Sequence, residues 1–182
     1  ITLCRQTNCR VHLSHITTER GVALLHQAKE EGLPVSCGVP AVHLILTDQA
    51  VRDNHYSTSM KLRPPLRPEN DRLALIDGVK EGIIDIVFSG HSPLSRAEKE
   101  LEFAEAEFGA SGIETAALAS WSVLQDPMLL ASVMSINPAE IFNLEAGICL
   151  GNSANLVMLE VSNSEVRTSR SYSKGTNDPL KG

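Results

Sequence analysis

The sequence predicts an α/β protein built on a parallel sheet, and three observations predict it. Short segments of strand character alternate with segments of helical period. One strand candidate, 83–89 (IIDIVFS), is almost wholly apolar, as expected for a strand covered on both faces. Three strand–helix pairs in 182 residues are also too few to close on themselves, because a complete (β/α)8 barrel takes about 250 residues. The remaining strands are therefore expected from another polypeptide or from an upstream segment. The first residue is Ile1 rather than Met, which is read as a trimmed N-terminus or a piece of something longer.

The elements follow in order. Residues 10–15 (RVHLSH) alternate in character and read as a short strand. Thr17 and Thr18 supply hydroxyl caps for a helix over 19–31, where Val22, Leu25 and Ala28 recur at helical spacing. Gly32, Leu33 and Pro34 close it, and 34–39 (PVSCGV) is the second strand. A long polar segment, 47–69, holds Arg63-Pro64-Pro65-Leu66-Arg67-Pro68, too proline-rich for a helix or a ladder. A helix over 70–81 carries Leu73, Ile76 and Val79 in register and ends at Gly82, ahead of the apolar third strand. Helices are expected at 113–124, 127–134 and 138–144, and a late strand at 155–161. The Ser/Asn/Gly-rich tail from 162 onward is expected to be loosely held. Domain organisation is read as 1–150 for the main unit and 151–182 for a C-terminal β segment and tail.

Composition excludes several classes. With 42% hydrophobic and 21% charged residues, the chain is an ordinary globular protein rather than a disordered one. A net charge of −6, without a basic stripe, argues against nucleic-acid binding. No apolar stretch approaches the roughly 18–20 residues of a membrane-spanning helix, and no secretory signal is visible. Cys4, Cys9, Cys37 and Cys149 lack a C-x-x-C spacing and read as reduced thiols of a cytoplasmic protein.

In parallel α/β folds, ligand-binding groups gather at the C-terminal ends of strands. His15, His43 and His91 stand at or just past three successive strand ends. Imidazole is a common zinc ligand, so a metal site is one reading; hydrogen-bonded surface or core histidines are the other. His12 lies three residues before His15 and faces the opposite side of its strand.

The ordered string of motifs resembles the second half of a dihydroorotase, a cyclic amidohydrolase. It runs His12-Leu13-Ser14-His15, then Leu33-Pro34-Val35, Val42-His43-Leu44, Arg63-Pro64-Pro65-Leu66-Arg67, Gly90-His91-Ser92-Pro93, Phe108-Gly109, Gly112-Ile113-Glu114-Thr115, Asn137-Pro138-Ala139 and Gly151-Asn152. Allantoinases and hydantoinases are close relatives, but the stretch from Gly112 to Thr115 is more similar to dihydroorotase. The resemblance implies the C-terminal portion of a (β/α)8 barrel, about strands six to eight, with a short β segment after it. It implies zinc, with metal-bound hydroxide attacking the ring amide of dihydroorotate in pyrimidine synthesis.

Residue by residue, the resemblance makes His15 the metal-binding histidine of strand six. It makes His43, Arg63 and Gly109 contacts of the substrate. Arg63 would hold a carboxylate by bidentate pairing, and Gly109 would belong to a glycine loop whose N–H groups meet the substrate. One departure outweighs these matches. The family pattern Asp-His-Ala-Pro-His after strand eight here reads Gly90-His91-Ser92-Pro93-Leu94. The aspartate, both metal ligand and proton shuttle, is Gly90, and the last histidine is Leu94, so no catalytic residue is intact. Asp85, five residues before Gly90, faces the opposite side of the strand and does not substitute. The other metal ligands of the family would lie upstream.

Two functions compete. One is a dihydroorotase-like protein, catalytically impaired or silent, keeping the barrel as a scaffold that assembles with its N-terminal half, as an oligomer, and with aspartate transcarbamoylase. The alternative is an active zinc cyclic amidohydrolase of dihydroorotase, allantoinase or hydantoinase type, completed by an N-terminal half. A stand-alone α/β binding module fits the proline-rich loop and the histidines at strand ends poorly.

Overall fold

The computed structural model describes residues 1–145, 147–148, 150–158, 172–175 and 177–180. Three parallel strands, β1 (Val11–Leu13), β2 (Val35–Pro40) and β3 (Ile86–Phe88), pair in the order β1-β2-β3. The register sets Val11 opposite Val35 and Gly38 opposite Ile86. β2 is the central strand and is buried at five of its six positions, Ser36 being partly exposed. It therefore has core on both faces, as parallel strands require.

Nine helices accompany the strands among the described residues: α1 (Thr2–Thr7), α2 (Glu19–Glu30), α3 (Val42–Ile45), α4 (Asp48–Asp53), α5 (Glu69–Lys80), α6 (Arg96–Lys99), α7 (Ala116–Leu124), α8 (Pro127–Ala131) and α9 (Asn137–Phe142). Thr18 caps α2 by accepting from the Gly21 N–H (3.1 Å), and Asp71 of α5 accepts from the Glu19 N–H (2.7 Å). The two helices thus start in step. Their apolar stripes, Val22, Leu25 and Ala28 on α2 and Leu75, Ile76 and Val79 on α5, join Cys37, Val39 and Val87 of the sheet in one core. A Cβ at Gly78 would stand 3.0 Å from Val22 Cγ1, so glycine lets α5 approach α2 closely.

Several sequence expectations change here. The polar segment 47–69 is not irregular throughout: it contains α4 and a 3-10 turn at Thr58–Met60. No residue of α4 is buried, so no apolar period announces it. α1 buries only Cys4, and α3 is a single turn. The third strand is shorter than 83–89, because the Ile83 and Ile84 N–H groups both donate to Gly78 O (2.8 Å each) and turn the chain. The two expected helices over 127–144 join through a π turn, Ser132–Ile136, just before Pro138, which has no N–H to give an unbroken helix. Residues 155–158 form no strand; Leu156, Val157 and Met158 are exposed, and the rest of the expected late strand lies outside the described residues. Within the tail expected to be loosely held, Asn177 and Asp178 are buried. Cys4, Cys9 and Cys37 are free thiols, and Cys149 lies outside the described residues. No helix among the described residues is long and apolar enough to cross a membrane.

Asp85 ties the entry ends of two strands together. Its carboxylate accepts from the Cys37 N–H (2.8 Å) and pairs with Lys29 Nζ (2.7 Å), while its carbonyl accepts from Asn137 Nδ2 (2.9 Å). Asp85→Ala leaves the Cys37 N–H and the Lys29 ammonium, both partly buried, without their partner. The expected loss of stability is about 2–3 kcal/mol, with Asp85→Asn losing less. Urea unfolding of the two variants measures it.

Candidate functional site

The parallel register brings the C-terminal ends of β1, β2 and β3 to one rim, and a cleft of about 590 Å3 opens there. His15 follows β1, His43 lies in α3 just past β2, and Ser89, Gly90 and His91 follow β3. Leu62 and Arg63 form a further wall with the 107–110 segment. Every site residue expected from the sequence, His15, His43, Arg63, Gly90 and Gly109, lines this one cleft. Leu94 is not among its lining residues. Glu107, which sequence reasoning passed over, is the acid in the lining. It is exposed and sits outside any strand, so only its place in the folded rim singles it out.

The three histidines differ in what they have left to offer. His15 is exposed; its Nδ1 meets Ser14 Oγ at 2.9 Å and its ring stands edge-on to Phe88, with centroids 5.0 Å apart. Phe88 in turn leans over Gly38, where a Cβ would come within 3.3 Å of the ring. His91 Nδ1 accepts from the Gly112 and Ile113 N–H groups (3.2 and 3.4 Å), so that nitrogen holds a loop. His43 is 4% exposed. Its Nε2–H donates to Pro64 O (3.2 Å), whereas its buried Nδ1 has no hydrogen-bond partner. Burial lowers its pKa to about 4, with the charges of His15 and Arg67 adding to the effect. The ring is therefore neutral at pH 7 with an unprotonated, unpaired nitrogen. His12 faces away from the cleft, bonded to Ser36 Oγ (2.9 Å) and edge-on to Phe142 of α9.

Gly90 has φ +61°, in the left-handed region, and a Cβ there would stand 3.1 Å from Pro40 Cβ. Gly109 has φ +145°, and a Cβ would meet Ser92 Oγ at 2.7 Å and Ser92 O at 2.9 Å. The Gly109 N–H donates to Lys61 O (3.0 Å), so this residue offers the cleft room rather than a donor. Two buried lysines pin the wall that carries it. Lys61 Nζ donates to Ala104 O (2.8 Å), and Lys99 Nζ donates to Thr58 O and Glu107 O (2.8 Å each). Burial lowers the Lys99 pKa, with Lys61 nearby adding to it. Phe108 lies between Lys61 Nζ and the Arg63 guanidinium, 4.7 and 5.1 Å from its ring centroid. That contact leaves the exposed Arg63 fork at the cleft mouth.

Zinc is the metal that this donor set has to be tested against. Among the described residues no three His, Cys, Asp or Glu side chains come together as a metal site. His91 Nδ1 is committed to backbone, and position 90 has no side chain. The described residues therefore do not hold a metal by themselves.

The three-stranded sheet and its helices are similar to part of the fold of solved hydantoinases and of a dihydroorotase-like domain. An L-hydantoinase (dihydropyrimidinase) from Arthrobacter aurescens is 28% identical, with a TM-score of 0.71 over 78% of this chain and 33% of that one. The inactive dihydroorotase-like domain of the Chaetomium thermophilum CAD-like multifunctional protein is 25% identical, with a TM-score of 0.60 over 80% of this chain and 40% of that one. These neighbours are TIM-barrel enzymes or domains, of which the three-stranded sheet matches a part. By sequence the chain is similar to dihydroorotases: that of Desulforapulum autotrophicum is 36% identical over 187 residues, all of this chain. The chain spans 43% of that relative's length, towards its C-terminus. No family model matches.

His43 makes stability depend on pH. Its folded pKa lies below the ordinary 6.5, at about 4. Its contribution is therefore present above pH 6.5 and lost as the pH falls towards 4, because the unfolded chain takes up the proton first. The loss is on the order of 3 kcal/mol. His43→Gln should shrink the difference between urea midpoints at pH 7.5 and pH 4.5.

Proposed function

We propose that this chain is the C-terminal portion of a dihydroorotase-like (β/α)8 barrel, contributing about strands six to eight, and that it is catalytically impaired or silent. The barrel unit is taken as 1–150, with 151–182 as a C-terminal segment. The observation that carries the proposal is Gly90. It sits in the wall of the cleft at a strand end, where the family places the aspartate that binds metal and moves the proton, and its backbone is left-handed. A glycine neither ligates nor transfers a proton. Loss of a general acid–base group typically costs about 10²- to 10⁴-fold in rate, and loss of a metal ligand compounds it.

His15 is then the one side chain assigned to zinc, with the other ligands supplied by the N-terminal half of the barrel, from the same precursor or another chain. Arg63 is placed to meet a substrate carboxylate, and His43 and Gly109 to shape the pocket floor. Glu107 is exposed on a loop, so it is a poor replacement for a carboxylate aimed along the barrel axis. In this reading the cytoplasmic protein serves as an oligomeric scaffold, with aspartate transcarbamoylase as the partner that the pyrimidine-synthesis context suggests.

The test is dihydroorotate hydrolysis and zinc content of the complete polypeptide. Stoichiometric zinc with turnover like that of an active dihydroorotase would sink the proposal. Gly90→Asp with Leu94→His is expected to raise activity only in part. The aspartate must adopt a left-handed conformation beside Pro40, at a cost of about 1 kcal/mol or more, and the backbone N–H of residue 94 faces Asn177 rather than the cleft.

A further inference from the structure

Two loops border the cleft: 90–94 after β3, of which Gly90, His91 and Ser92 line it, and 109–112, of which Gly109 and Ala110 line it. They touch through a bridge between His91 and Ala110 and through the Ser92 N–H, which donates to Ala110 O (2.7 Å). A third tie comes from far along the chain. Asn177 is 1% exposed, and each polar atom of its side chain bonds to these loops. Its Nδ2 donates to Gly109 O (3.1 Å) and Ser92 O (3.4 Å). Its Oδ1 accepts from Ser111 Oγ (3.0 Å) and the Leu94 N–H (3.4 Å). Its carbonyl accepts from the Ser111 N–H (3.1 Å).

Both amide hydrogens and two acceptor positions are thus in use, divided between the two loops. The neighbouring residues hold Asn177 in place. Thr115 Oγ1 donates to the Asp178 carboxylate (3.1 Å), which also accepts from the Leu180 N–H (3.0 Å). A Cβ at Gly175 would come within 2.2 Å of Ser111 Oγ, so the chain passes the loop with no space for a side chain. Asp178, Pro179 and Leu180 share a second, smaller cavity with Ser89, Gly90 and Gly112, which brings the tail against the backbone of the cleft itself.

We propose that segment 177–180 is a strap that sets the shape of the cleft rim, with Asn177 as its positioning residue. Only an uncharged amide of this length serves both loops. An aspartate would set a carboxylate against two carbonyl oxygens, and an alanine would leave the buried Gly109 O and Ser111 Oγ without their partner. The inference goes beyond the functional reading above and does not need it: the strap fixes the rim whether or not the cleft turns over a cyclic amide.

Native-state amide exchange on the complete polypeptide tests it without any ligand. In the wild type the Leu94 and Ser111 amides should be protected although they lie in loops; exchange at unprotected rates would overturn the proposal. In Asn177→Ala, exchange at Ser92, Leu94 and Gly112 should speed by about tenfold or more, while Leu75 and Val79 in α5 keep their wild-type rates. A role limited to overall stability would instead speed rim and core together, and that result, or an unchanged rim, would overturn the proposal. Asn177→Ser keeps a small uncharged polar group but cannot reach both loops. It should show the same confinement to the rim, and it serves where the alanine variant does not fold. Retained dihydroorotase-type activity, or its absence, bears on the reading of Gly90 and leaves this outcome untouched.

Discussion

A strand paired on both edges and covered on both faces has only its ends left to meet a ligand. β2 is in that position, buried along nearly its whole length between β1 and β3. Because all three strands run parallel, their C-terminal ends fall on one rim, and whatever residues follow them become neighbours regardless of distance in sequence. His15, His43 and Gly90 meet for this reason. The opposite ends of the strands carry the stabilising electrostatics: Asp85, with Lys29, the Cys37 N–H and Asn137, locks β2 to β3 away from the cleft. The division between a locked end and an open end lets one rim vary while the sheet stays put.

The cleft is shaped as much by absent side chains as by present ones. Gly38 makes room for Phe88, which supports His15; Gly109 makes room for Ser92; Gly112 has Ser89 O 2.6 Å from where a Cβ would be. The approaches at Gly109 and Gly112 bring loop segments close to one another near the strand ends. Gly90 belongs to the same set by close approach, since a Cβ there would stand 3.1 Å from Pro40 Cβ. His43, in the same lining, is neutral by burial, and Arg63 and Glu107 are the charged side chains of the cleft.

Buried cations hold one wall of the cleft. Lys61 and Lys99 are both less than one-tenth exposed, and they donate to main-chain carbonyls instead of to carboxylates. They therefore staple loops rather than neutralise acids, and the wall from Glu107 to Gly109 rests on them. With Asn177 on its other side, the glycine loop is held by three polar side chains that sequence separation would never have joined.

The sequence by itself determined the class of fold and the order of its main elements, because β3, α2 and α5 carry their burial as period and composition: a nearly continuous apolar run in one case and a three-to-four spacing in the others. It also determined which strand ends carry the histidines and that position 90 is a glycine. It did not reveal α1 or α4, since helices that bury one residue or none leave no apolar period to read. Nor did it reveal that His91 is bound to backbone, that the Gly109 N–H is spent on Lys61, or that Asn177 returns to close the rim. Those depend on which buried polar groups find each other once loops from distant segments converge. Only tertiary structure decides that, because a hydrogen bond between residues 83 apart, such as that of Leu94 with Asn177, has no local signature in the chain.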